Sequence, residues 1–160
     1  VSDYLLRNVA GPLKFGICHG SRRGLEQKWF AEDLGCRVIG TEISHTARMF
    51  ENTIEWDFHE VKDEWVEAVD FIYSNSWDHT FDPSLCFSQW MRCIRPGGVC
   101  VLEHTSFHRA AMTSVLDPYG IELDALVEFL NALRPESFGV RDVLETGDER
   151  ETRFVCIGKR

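Results

Sequence analysis

Gly20-Ser21-Arg22-Arg23-Gly24 follows the apolar run Phe15-Gly16-Ile17-Cys18, and twenty residues later the acid Glu42 closes a second apolar run, Val38-Ile39-Gly40-Thr41. A glycine turn between a strand and a helix lets a ligand approach the backbone. An acid at the tip of the next strand can grip a ribose diol. The pair points to a nucleoside-bearing cofactor. The spacing Gly16-x-x-x-Gly20-x-x-x-Gly24 departs from G-x-G-x-x-G. A pyrophosphate needs several backbone N–H groups and a helix N-terminus aimed at it, whereas a cofactor without phosphates needs only room.

Strand and helix patterns alternate outward from this turn, which predicts a parallel sheet covered by helices. Strands are expected at Lys14–His19, Arg37–Glu42, Thr53–Phe58, Val69–Ser74 and Val99–Glu103. The first helix runs over Leu25–Leu34, with Leu25, Trp29, Phe30 and Leu34 expected on its inner face. Ser44 is placed to cap a short helix through Phe50, and Val61–Ala68 reads as helical. Asp82-Pro83 is a capping acid followed by proline at the first helical position, and Cys86, Phe87, Trp90, Met91 and Ile94 then recur at helical spacing. Arg95-Pro96-Gly97-Gly98 stops that helix. Ser106–Gly120 lacks a period and reads as a loop with at most one helical turn, and Leu123, Leu126, Val127 and Leu130 mark a last helix.

Val140–Glu145 and Thr152–Ile157 are separated by only six residues. So short a link cannot make a parallel crossover, so the pair must be an antiparallel hairpin. The expected fold is thus α/β, a three-layer Rossmann-like sheet of about seven strands, mostly parallel with an antiparallel C-terminal hairpin. One domain is expected over residues 1–160.

The net charge of −9 argues against a nucleic-acid partner, because such affinity rests on Lys and Arg neutralising phosphates. No run approaches the ~20 apolar residues of a membrane span. Val1-Ser2-Asp3-Tyr4 has neither a secretory signal nor an initiator Met, which leaves open whether the natural N-terminus lies upstream. The six cysteines form no C-x-x-C and mostly sit in apolar runs, as reduced core thiols of a cytoplasmic protein would. A homodimer through a sheet edge or the Trp-rich helices is left open.

Ligands of such sheets bind at the C-terminal strand ends. The polar groups found there are His19–Gly24, Glu42–Ser44, Asp57–His59, Asn75–His79 and Glu103–Ser106. These residues and the turns between them resemble class I S-adenosylmethionine-dependent methyltransferases of the methyltransferase-domain family, over nearly the whole chain. Gly20-Ser21-Arg22-Arg23-Gly24-Leu25-Glu26 is similar to a first motif of the form G-A-R-N-G-T-E. Val38–Ser44 resembles the second-strand motif, Trp56-Asp57-Phe58-His59 a G-D-F-H segment, and Asp70–His79 the fourth-strand motif. Arg95-Pro96-Gly97-Gly98 matches the turn before the fifth strand, and the last hairpin fits the reversed seventh strand. Ile17 and His19 replace smaller or apolar residues of the first motif, and Glu42 replaces the commoner Asp.

The resemblance implies S-adenosyl-L-methionine as cofactor. It implies His19, Gly20, Ser21, Arg22, Gly24, Glu42, Ile43, Asp57, Phe58, Asn75, Ser76 and Trp77 as its site, with Glu42 on the ribose and Asp57 on the adenine amine. Phe58 either packs on adenine or fills the core. Trp77 either covers the cofactor, shapes an acceptor pocket or is a half-buried anchor of its loop.

Methyl transfer from a sulfonium is an in-line displacement that needs a base only if the acceptor must lose a proton. Base candidates are Asp78, His79, Glu103, His104 and His108, with His79, Glu103 and His104 foremost. Tyr119 and Tyr4 are candidates to line an acceptor site. His104-x-x-x-His108 has metal-ligand spacing but starts at a strand end, so no metal is expected there. The expected activity is methyl transfer to a small molecule. The alternative is a non-catalytic S-adenosylmethionine-binding module or subunit. A nicotinamide-dependent oxidoreductase fits poorly with both the glycine spacing and the hairpin.

Overall fold

The computed structural model describes residues 1–159. Seven strands form one sheet in the order β3-β2-β1-β4-β5-β7-β6. They are β1 (Phe15–His19), β2 (Arg37–Glu42), β3 (Thr53–Glu55), β4 (Val69–Ser74), β5 (Ile94–His104), β6 (Phe138–Glu145) and β7 (Arg153–Lys159). Strands β1 to β5 run parallel, and β7 lies antiparallel between β5 and β6. The expected α/β architecture with a reversed C-terminal strand is therefore the one observed.

Alternation along the strands builds the two faces. Ile17, Ile39, Ile72, Cys100, Leu102, Val155 and Ile157 point to one side, under α3 (Pro83–Cys93) and α4 (Leu123–Leu133). Cys18, Val38, Phe71, Tyr73, Val99, Val101 and Cys156 point to the other, under α1 (Ser2–Asn8) and α2 (Leu25–Leu34). Helix α3 follows its sequence closely. Asp82 accepts the Leu85 N–H at 2.9 Å, Pro83 opens the helix, and Cys86, Phe87, Trp90 and Met91 are all buried.

Four local expectations are corrected. The inner face of α2 is Gln27, Phe30, Ala31 and Leu34, while Leu25 and Trp29 are exposed. Gln27 is drawn inward because its amide donates to Thr53 Oγ1 at 2.7 Å. Val61–Ala68 is not a helix but a single 3-10 turn, Asp63–Trp65. Glu67 there adopts a left-handed φ of 53°, which ends any helix. Strand β3 stops at Glu55, ahead of a turn that Asp57 makes with its own carboxylate. Arg95-Pro96-Gly97-Gly98 is a bulge inside β5 rather than a link before it: Val69 pairs with Ile94, but Phe71 pairs with Val99.

Asp70 sits opposite this bulge, almost fully buried. Its carboxylate accepts the backbone N–H groups of Lys14 at 2.6 Å and Phe15 at 2.7 Å, and the Arg95 guanidinium at 2.5 Å. Arg95 in turn donates to the Ala10 carbonyl at 2.6 Å. One carboxylate thus joins the start of β1, the start of β4, the bulge of β5 and the segment leaving α1. Removing it strands two backbone donors and a guanidinium, which should cost about 3 kcal/mol. Urea unfolding of Asp70→Ala is expected to show that loss, and a smaller one for Arg95→Ala. Equal losses would contradict this accounting.

Candidate functional site

Strand order reverses between β1 and β4, so the crevice of the sheet opens where these strands end. The chain leaves β1 at Gly20 and enters α2 at Gly24, both at a φ of +72°. A Cβ on Gly20 would lie 2.6 Å from Ser76 Cβ, so glycine is required by space as well as by backbone angle. The turn is tied on both sides. Ser21 N–H donates to Thr41 O at 3.0 Å, Ser74 Oγ to His19 O at 3.0 Å, and Ser76 Oγ to Gly20 O at 3.3 Å. Asn75 reaches Glu26, at the head of α2, at 3.2 Å.

Pairing of His19 with Thr41 brings Glu42 beside this turn. One Glu42 oxygen accepts the Ser44 N–H at 2.9 Å, and the other has no protein donor among the described residues. Its register neighbour Glu55 is different. That carboxylate is taken by Arg48 at 2.9 Å and His45 at 2.6 Å. Of the two acids at this edge, only Glu42 keeps an uncommitted oxygen. Ile43 follows it, exposed, and Arg22 and Arg23 are exposed on the turn with no ion pair among the described residues.

Asp57, Phe58 and His59 follow β3. Asp57 Oδ1 accepts both the backbone N–H of His59 at 2.9 Å and its Nδ1–H at 2.7 Å. His59 Nε2 meets Thr80 Oγ1 at 2.7 Å, and Thr80 Oγ1 also accepts the Asp82 N–H at 3.2 Å. This carboxylate–imidazole–hydroxyl chain has the residue types of a nucleophilic triad. Thr80 is fully buried, however, and His59 is covered by the stacked ring of Phe81 at 3.9 Å. The chain therefore fixes Asp57 rather than presenting a nucleophile. Sequence reading singled out Asp57 and missed its holder; the adjacent His59 was the available signal. The Phe58 ring is half-buried, edge-on to Trp90 at 5.5 Å, and its carbonyl accepts the Trp90 indole N–H at 2.8 Å.

His19 lies under these rings, stacked on Trp90 at 4.6 Å with Nδ1 on Thr41 Oγ1 at 2.8 Å. Burial, with His59 nearby, holds its pKa down to about 3, so the ring is neutral. His19 Nε2, Ser21 Oγ and Gln27 Oε1 are buried without hydrogen-bond partners. Unmet polar atoms of this kind cost about 1–3 kcal/mol each. They sit in and beside the glycine turn, where a polar ligand or water would satisfy them.

The structure does not bring the three foremost base candidates together. Glu103 faces α1 and α2, where its carboxylate accepts the Tyr73 hydroxyl. His104 points to the opposite face and donates Nε2–H to Ile121 O at 2.9 Å; burial lowers its pKa. His79 alone is half-exposed, with Nε2 3.2 Å from Asp117 and 3.9 Å from Asp78. Asp117, from the long loop, had no local sequence signal. His108 Nδ1 accepts the Thr105 N–H at 3.0 Å, so its Nε2 carries the proton and meets Asn75 O at 3.1 Å. The Trp77 indole is a core plate rather than a lid: fully buried, it stacks against both His108 and His104 and donates to Glu103 O at 2.7 Å. The His104-x-x-x-His108 spacing thus serves packing around Trp77. Tyr119 meets Trp77 edge-on at 6.0 Å, whereas Tyr4 bonds Asp142 on β6.

The family model described as methyltransferase domain matches residues 17–102, more than half of the chain. No curated protein matches it in sequence. Among solved structures, it resembles the 1,6-didemethyltoxoflavin-N1-methyltransferase of Burkholderia thailandensis, which holds 1,6-didemethyltoxoflavin and S-adenosylhomocysteine. Identity is 15% and the TM-score 0.73, over 99% of this chain and 76% of that one. A TehB-like SAM-dependent methyltransferase from Corynebacterium glutamicum gives 13% and 0.70, over 99% and 87%. A geranyl diphosphate methyltransferase in complex with SAM gives 15% and 0.71, over 99% and 83%. At such identities these likenesses speak for the fold alone. On the family-model match, the chain belongs to the methyltransferase-domain family of class I S-adenosylmethionine-dependent methyltransferases.

Proposed function

We propose that this protein transfers a methyl group from S-adenosylmethionine to a small-molecule acceptor, with residues 1–160 acting as one domain. The observation that carries the reading is the uncommitted oxygen of Glu42 beside the Gly20 turn at the switch point of the sheet. When bound, S-adenosylmethionine supplies a methyl group on a positively charged sulfur, open to in-line displacement.

The chain's own groups divide the work of holding it. Glu42 accepts the two ribose hydroxyls. The second oxygen of Asp57, whose first is committed to His59, accepts the adenine amine, with Ile43 and Phe58 along the base. Gly20, Ser21, Gly24, Asn75 and Ser76 form the floor, with the backbone of Trp77 continuing it. Arg22, free of ion pairs among the described residues, faces the amino-acid carboxylate. His19 lies beneath as a neutral ring, which matters beside a cationic sulfur because a charged imidazole would repel it.

The acceptor is placed over the ends of β4 and β5. Phe81, Phe107, Met112 and Leu116 are exposed large apolar residues of the segments after those strands. That lining and the chain's net charge of −9 favour a small, partly apolar acceptor over a nucleic acid. The small acceptor in the B. thailandensis structure agrees with this reading. His79 is the foremost candidate able to reach an acceptor there, since Glu103 and His104 are engaged inside the fold.

Two measurements test the reading. A carboxylate accepting two hydroxyl bonds is worth about 1.5–3 kcal/mol. In calorimetry with S-adenosylhomocysteine, Glu42→Ala should bind about ten- to a hundredfold more weakly than the parent. Unchanged affinity would remove the ribose role. The second concerns His19, whose pKa falls from 6.5 to about 3 on folding. The unfolded chain then binds more protons than the folded one between these values, so stability is full above pH 6.5 and is lost as pH falls toward 3. His19→Gln should lose less stability over that window, the difference growing by up to about 1.4 kcal/mol per pH unit. Parallel curves would show that this imidazole does not titrate as described.

A further inference from the structure

We infer that Asp78, His79 and Asp117 form a site for a divalent transition-metal cation at the acceptor end of the crevice. Each offers one ligand atom, and the three atoms lie within 4.8 Å of one another. Bonds of about 2.0–2.2 Å to carboxylate oxygen and imidazole nitrogen put neighbouring ligands about 3.0–3.5 Å apart. His79 Nε2 and Asp117 Oδ1 already stand at 3.2 Å, and Asp78 Oδ1 stands 3.9 Å from His79.

Asp78 supplies an independent reason. The residue is 8% exposed, and its Oδ1 is buried with no hydrogen-bond partner. A buried carboxylate needs a compensating charge. Two imidazoles face it without hydrogen-bonding it, His108 at 3.8 Å and His79 at 3.9 Å. The His108 Nε2–H is directed at Asn75 O, and its Nδ1 accepts the Thr105 N–H. No Lys or Arg pairs with Asp78 among the described residues. A cation between Asp78, His79 and Asp117 would meet the need.

The surroundings hold two of the ligands in place. The Tyr119 N–H donates to the Asp78 carbonyl at 3.0 Å, which pins the long loop against the end of β4. Ser114 Oγ donates to Asp117 Oδ2 at 3.0 Å and leaves Oδ1 toward His79. Two carboxylate oxygens with one imidazole suit Zn2+, Mn2+ or Fe2+ better than Mg2+ or Ca2+, which prefer all-oxygen shells. His79 and Asp117 are half-exposed, so the remaining coordination positions face solvent. They are open to an acceptor that chelates through two oxygens, such as a vicinal diol or a hydroxy acid. That last role rests on the proposed methyl transfer; the metal site does not, and with its Nε2 on the metal His79 serves as a ligand rather than as a base. The chain returns to the cofactor turn within two residues, because Ser76 holds the Gly20 carbonyl.

The test uses the full chain stripped with a chelator and titrated with Mn2+ and, separately, Zn2+ by calorimetry. One equivalent of at least one metal is expected to bind. Asp117→Asn, which replaces a half-exposed residue, should weaken it about tenfold or more while leaving the circular dichroism spectrum unchanged. His79→Ala should do the same. S-adenosylhomocysteine titrated into the stripped protein reports the cofactor site separately: if it fails to bind while the metal binds, the proposed function falls and the metal site stands. Absence of saturable binding by both metals, or binding unaltered in Asp117→Asn, overturns the inference.

Discussion

Two serine hydroxyls at the end of β4 decide where everything polar in this crevice can stand. Ser74 and Ser76 donate to the carbonyls of His19 and Gly20, the last backbone groups of β1 and its turn. These bonds take over where the β1–β4 ladder ends, at the point where the order of the sheet reverses. A shift of one residue there would send His19 to the other face and move the turn away from Glu42. The absence of a Cβ on Gly20 is a condition of the same contact, because Ser76 occupies the space. Asp70 does the corresponding work at the opposite end, holding the starts of β1 and β4 together through backbone N–H groups. The crevice is therefore fixed from both ends of one strand pair.

Within that frame, second partners explain which of several similar residues are available for binding. Glu42 and Glu55 are adjacent acids on neighbouring strands, but Arg48 and His45 occupy only Glu55. Asp57 has one oxygen committed to His59 and one left over. Histidine is divided in the same way. His19, His59, His104 and His108 are buried and bonded into the fold, His45 lies on the surface against Glu55, and His79 stands half in solvent beside two carboxylates.

What could be read from residue order follows this division. The sheet and its antiparallel end were legible because alternation, the Asp82-Pro83 cap and a six-residue link are local signals. The glycine turn and Glu42 were legible because their roles depend on being at strand ends. The inner face of α2 was misjudged because Gln27 outcompetes Leu25 and Trp29 for the interior by bonding Thr53, a residue on a distant strand. The roles of Glu103 and His104 were not legible either: adjacent residues on a strand point to opposite faces, so they cannot share one site. Asp117 reaches His79 only because the long loop folds back onto Asp78, and no spacing along the chain encodes that return.

The margins of the sheet carry one more implication. Strand β3 is three residues long, and its Glu55 is locked to Arg48. Strand β6, at the other margin, is interrupted by a bulge between Val140 and Asp142 and turns Arg141, Asp142 and Glu145 outward. Short, charged and kinked borders resist joining to a second copy by continuous backbone pairing. Self-association by strand augmentation is thereby disfavoured at both margins.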